Sequence, residues 1–88
     1  MNEDEYKEAV RDALLQKINS LKATMSENGI FGNTFVQAPL LDNIKAHVHS
    51  QANGLVPQNN VTLFREVIKT LEREKNVVMQ SDGSLLIL

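Results

Sequence analysis

The apolar positions of this chain fall into three helical stripes followed by two short runs at the C-terminus. In residues 3 to about 27, Tyr6, Val10, Leu14, Ile18, Leu21 and Met25 recur every three or four positions. That period places them on one face of a long first helix. Ala13 widens the stripe, and Leu15 falls off it toward a neighbouring element. Glu3, Asp4 and Glu5 stand at the N-terminal end, where the helix dipole favours negative charge. Asn28-Gly29 reads as the stop, because glycine takes the left-handed cap conformation at no steric cost.

Residues 30–37 form an apolar connector, with Phe31, Phe35 and Val36 around Gly32-Asn33. Residues 34–37 are a candidate short strand. Phe31 and Phe35 are expected as core plugs, with an exposed aromatic patch as the lesser alternative. Pro39 opens a second helix, since its missing N–H costs nothing in the first turn. Leu40, Leu41, Ile44 and Val48 are its buried face. It fades near residues 51–53 and stops at Gly54. Residues 55–60 are turn-rich, with Leu55 and Val56 expected to anchor them to the core. A third helix starts at Asn60 or Thr62, both good caps, and runs to about Lys75. It carries Val61, Phe64, Val67, Ile68 and Leu71 at helical spacing, and Asn76 is the expected left-handed exit.

The chain closes with residues 77–80 and 85–88 around Asp82-Gly83. Asp-Gly suits a two-residue type I′ hairpin turn, which needs positive φ at both central positions. Val77, Val78 and Ile87 favour strands. Of Leu85, Leu86, Ile87 and Leu88, some must pack under the helices and others are left to meet a neighbour. Three helices plus a C-terminal β-hairpin, with the candidate strand before the second helix, predict a small α/β domain of the winged-helix type over residues 1–88.

Composition narrows the chemistry. A chain of 88 residues fits one domain with a modest core and a thin stability margin. The absence of cysteine excludes disulfides, thiolate metal sites and thiol chemistry. Nine Lys and Arg against eleven Asp and Glu give a net charge of −2, which argues against a binder that works mainly by neutralising phosphates. No apolar run approaches a membrane span, so no membrane partner is expected. The acidic N-terminus has no apolar signal segment, so secretion is not expected. Met1 is compatible with the start of a fragment of a longer protein.

No catalytic constellation stands out. His47 and His49 are two apart on a helix, whereas helical metal pairs use a spacing of four, so no metal is expected. There is no G-x-S-x-G elbow and no Gly-rich phosphate loop. Asn60-Val61-Thr62 matches the glycosylation sequon but reads more simply as a helix cap. The expectation is therefore a non-enzyme without cofactor or small-molecule ligand.

The remaining candidate is the outer face of the third helix. Arg65, Lys69 and Arg73 recur every four residues as a basic row. Glu66, Glu72 and Glu74 flank it and are expected to pair with it, giving an ordinary solvated face. The turn Ser81-Asp82-Gly83-Ser84 carries no base, unlike a wing that approaches phosphates. Both points favour a protein partner over DNA. Arg65, Lys69 and Arg73, with Leu85 and Leu86 of the tail, are the candidate partner- or DNA-binding residues.

The stretch from Phe64 through Glu72, followed by Asn76-Val77-Val78-Met79-Gln80-Ser81-Asp82-Gly83-Ser84 and the apolar tail, resembles the end of minichromosome-maintenance (MCM) replicative helicase subunits, the third subunit in particular. The likeness covers about the last quarter to third of the chain. It implies a non-catalytic terminal winged helix, ATPase motifs elsewhere in the protein, a nuclear location and docking to origin-loading factors within a replication complex. The alternatives are a DNA-binding winged-helix regulator using the outer face of the third helix and a scaffold subunit of the endosomal-sorting type. A stand-alone chain would fit the cytoplasm as well.

Overall fold

A computed structural model describes residues 1–27, 29 and 34–88. In chain order the elements are α1 (Glu3–Glu27), β1 (Thr34–Val36), α2 (Ala38–Gln51), α3 (Asn60–Arg73), β2 (Val77–Met79) and β3 (Leu85–Ile87). Three helices pack with a three-stranded antiparallel sheet in the order β1-β3-β2. Phe35 and Val78 both stand opposite Leu86, from the two sides of β3.

The first helix has the bounds its stripe predicts. Tyr6, Val10, Leu14 and Ile18 are buried, and Leu21 and Met25 are half-buried. Its start is a reciprocal cap: Glu5 N–H donates to Asn2 Oδ1 (2.8 Å), and Asn2 N–H donates to Glu5 Oε1 (3.1 Å). Gly29 takes φ 65°, as a left-handed stop requires. Asn28, and the readings placed on Ile30, Phe31 and Gly32-Asn33, lie outside the described residues.

The strand before α2 forms, but Phe35 is no core plug. Alternation along β1 turns Val36 inward and leaves Phe35 at 37% exposure. Pro39 sits in the first turn of α2, whose core face is Leu41, Ile44 and Val48. That helix ends in paired bonds, Gly54 N–H to His49 O (2.9 Å) and Asn53 N–H to Ser50 O (3.0 Å), with Asn53 at φ 54°. Val56 packs on the core, but Leu55 is exposed rather than an anchor.

At the start of α3, neither Asn60 nor Thr62 is the cap. Asn59 holds that position, and Asn60 Nδ2 donates back to Pro57 O (2.8 Å). Val61, expected in the stripe, faces solvent, and Leu63, which was not expected there, is in the core. The helix stops two residues earlier than expected, at Arg73. The exit residue is Lys75 at φ 63°, not Asn76. Asn76 N–H bonds to Leu71 O (3.0 Å) and Lys75 N–H to Glu72 O (3.0 Å), the two bonds of a Schellman motif.

The hairpin is present, but its turn is not the two-residue type I′. Gln80 N–H donates to Ser84 O (2.9 Å), leaving three residues in the loop, and Gly83 N–H donates to Gln80 O (3.1 Å). Gly83 alone in this loop has positive φ, at 87°. A turn over Ser81-Asp82 followed by a left-handed glycine is the usual three-residue solution. Of the closing residues, Leu85 is buried, Leu86 and Ile87 are half-buried and Leu88 is exposed.

Candidate functional site

Helix α3 buries Leu63, Phe64, Val67, Ile68 and Leu71, and its charged positions spread to two flanks around that stripe. On the α1 flank, Lys7 Nζ lies 3.4 Å from Glu66 Oε2, and Arg11 Nη1 lies 2.8 Å from Glu74 Oε1. Glu72 Oε2 accepts from the Met79 backbone N–H at 2.8 Å. The three acids expected to neutralise the basic row are thus engaged with α1 and β2. Among the described residues, no carboxylate lies within ion-pair distance of Arg65, Lys69 or Arg73. The expected pairing along α3 is therefore absent, because cations from another helix reach Glu66 and Glu74 instead. Arg73 Nη2 donates to Thr70 Oγ1 (3.0 Å) on its own helix.

On the opposite flank, α3 faces the N-terminal half of α2 and the hairpin across a cleft of about 580 Å³. Arg65 and Lys69 line it from α3, Leu41 and Asp42 from α2, and Met79 and Leu85 from the hairpin. Leu85 is fully buried, so it belongs to the floor and the core. Leu86 lies on the other face of the sheet, between Phe35 and Val78. Arg73 is outside the cleft lining. Of the five residues singled out in the sequence, Arg65, Lys69 and Leu85 come together, and Arg73 and Leu86 stand apart.

The sequence marks Leu41 only as a core position and carries no signal that would bring it to a cleft with Asp42 and Met79. Their place at the cleft depends on how α2 and the hairpin cross α3. A smaller depression, about 220 Å³, lies on the α1 flank, lined by the Lys7–Glu66 pair, Arg11 and Val67.

The hairpin tip is acidic. Asp82 Oδ1 accepts from Ser84 Oγ (2.6 Å) and from Ser84 N–H (2.9 Å). The hydroxyl bond first, and the amide bond after it, hold the Asp82 carboxyl below its ordinary pKa. These bonds also satisfy Ser84, the one buried polar side chain among the described residues.

The histidines separate. His47 is exposed, whereas His49 Nε2 lies 2.8 Å from the Tyr6 hydroxyl. Burial raises the Tyr6 pKa, so the hydroxyl keeps its proton and shares one hydrogen bond with Nε2, its direction set by the imidazole tautomer. Burial first, and the Lys45 charge second, lower the His49 pKa. Among the described residues, no three His, Cys, Asp or Glu side chains group so as to hold a metal ion. No helix of the described residues is long and apolar enough to cross a membrane. The chain matches no protein-family model, no curated protein and no solved structure.

Proposed function

We propose that this domain is a winged helix that acts as a non-catalytic docking module for a protein partner. The order helix, strand, two helices and hairpin, with the first strand paired to the last, supports that fold. One observation carries the function: the cations beside the cleft stand on α2 and α3, and the hairpin carries none. The floor beside them is apolar, and the hairpin tip presents ionised Asp82. A duplex-binding wing would set bases on the hairpin as well, because it approaches phosphates. The likeness of the closing stretch to MCM helicase subunits supports a place in a nuclear DNA-replication complex, with origin-loading factors as partners.

The test is titration of short duplex DNA at physiological salt. Docking to protein predicts weak or undetectable binding. Submicromolar affinity that disappears in an Arg65→Glu, Arg73→Glu double variant would overturn it. The replication assignment has a separate test: ATPase motifs upstream in the same reading frame sustain it, and a stand-alone gene removes it.

A second reading, a DNA-binding regulator, is favoured by one specific observation. The row Arg65, Lys69 and Arg73 is exposed and has no acidic partner among the described residues. The same titration decides between the two.

A further inference from the structure

We propose that the cleft between α2, α3 and the hairpin receives a short acidic segment of a protein partner, held by one apolar anchor side chain. This rests on the docking reading above and narrows it to one surface and one partner chemistry.

The floor supplies the apolar half of the site. Leu41, Phe64 and Ile68 keep 7%, 8% and 6% of their surface, whereas Tyr6, Val10 and Leu14 under α1 keep none. The cleft is thus a place where the core reaches solvent. Met79, 40% exposed, stands at its rim with an unbranched, adaptable side chain.

The rim supplies the charge. Arg65 and Lys69 line the cleft without an acidic partner among the described residues. Lys45 Nζ lies 5.9 Å from the centroid of the Phe64 ring, beside the same floor. Asp42 is the one acid in the lining. Asp82 lines a separate hollow with Phe35 and Gln37. The cleft's cations therefore outweigh its acid. Arginine offers a planar fork to a carboxylate, and lysine adds a point charge.

The volume of about 580 Å³ suits a few side chains. A duplex has no long apolar side chain to fill the floor, and it would bring phosphates toward Asp42. An acidic segment with a Leu, Met or Phe satisfies both the floor and the rim.

The experiment records amide NMR spectra of the isotope-labelled full chain during titration with two degenerate peptide pools. Each peptide is about eight residues long, with Leu, Met or Phe at the centre, a length suited to groove binding. One pool carries Asp or Glu at every other position, and the control pool carries Lys or Arg. The acidic pool is expected to move the amides of Leu41, Asp42, Ile68, Lys69 and Gly83 and to lose affinity with added salt. An Arg65→Glu, Lys69→Glu double variant should bind about tenfold more weakly, as loss of cleft charge requires. Asp42→Asn should bind more tightly, a gain that misfolding does not produce.

No response to the acidic pool, or an equal response to both pools, overturns the inference and leaves the docking reading standing. So does a response confined to Phe35, Val78 and Leu86. Tighter binding of duplex DNA at the same cleft amides overturns the inference and the docking reading together.

Discussion

The two flanks of α3 carry similar residues and treat them differently. Toward α1, Glu66 and Glu74 meet Lys7 and Arg11, and Tyr6, Val10 and Leu14 of α1 are sealed, while Val67 of α3 keeps 5% of its surface at the small depression there. Toward α2 and the hairpin, Arg65 and Lys69 meet no carboxylate among the described residues, and the apolar side chains beneath are only nearly covered. One flank has its charges paired, and the other leaves them open. The difference shows that charge balance along a helix does not determine charge pairing. Glu66, Glu72 and Glu74 are the sequence neighbours of Arg65 and Arg73, but α1 brings cations to Glu66 and Glu74 from more than fifty residues away.

The core gives the largest test of that contrast. Leu14→Ala, on the sealed side, should cost about 3–5 kcal/mol of stability, because a fully buried site leaves a cavity. Leu41→Ala, on the cleft side, should cost about 2 kcal/mol, since water and neighbours can partly fill the gap. Urea unfolding of both variants measures the difference. Equal losses would break the division into sealed and open sides.

An intermediate effect is expected where α1 meets α2. Tyr6→Phe removes the bond to His49 and should cost about 1 kcal/mol. Burial of His49 and the nearby Lys45 charge make stability depend on pH. His49 has a lowered folded pKa, so the unfolded chain binds its proton more readily. This contribution is complete above the ordinary histidine value of about 6.5 and is lost as pH falls through the folded value. Lys45→Gln should return the His49 pKa partway toward normal and reduce the acid-side loss. Imidazole NMR titration, with urea midpoints on both sides of the transition, checks the sign. A His49 pKa above the ordinary value would refute it.

The smallest effects belong to the surface charges, and they sharpen the comparison most directly. Arg11→Ala breaks a half-exposed ion pair and should cost up to about 1 kcal/mol. Lys69→Ala breaks none and should stay within about 0.5 kcal/mol of wild type. A larger loss at Lys69 would mean that the open flank has a structural duty.

Much of the fold was legible because one signal dominated locally. The stripe from Tyr6 to Ile18 is unbroken, and α1 has the predicted bounds. Asp82-Gly83 marked the hairpin correctly, yet the same two residues serve a two- or a three-residue loop. The need for glycine was readable, whereas the loop length depends on how β2 and β3 align. At the end of α3, residue preference favoured Asn76 for the left-handed position, but the motif falls on Lys75. The departure of the chain into β2 outweighs the modest strain of a lysine there. Phe35 has the size of a core residue, but alternation along β1 gives the core to its neighbour Val36. For the candidate site, spacing revealed the basic row. The cleft was not readable, since Leu41 and Asp42 reach it only when α2 has packed.

The bond from Met79 N–H to Glu72 has a consequence for self-association. β2 is an edge strand, and an outward amide is what a further strand needs in order to add. A side chain from the domain's own helix already fills that position. Extension of the sheet past β2 would first have to displace the Glu72 carboxylate. The edge thus carries a side-chain cap at Met79, and adding a strand there begins with the loss of that bond.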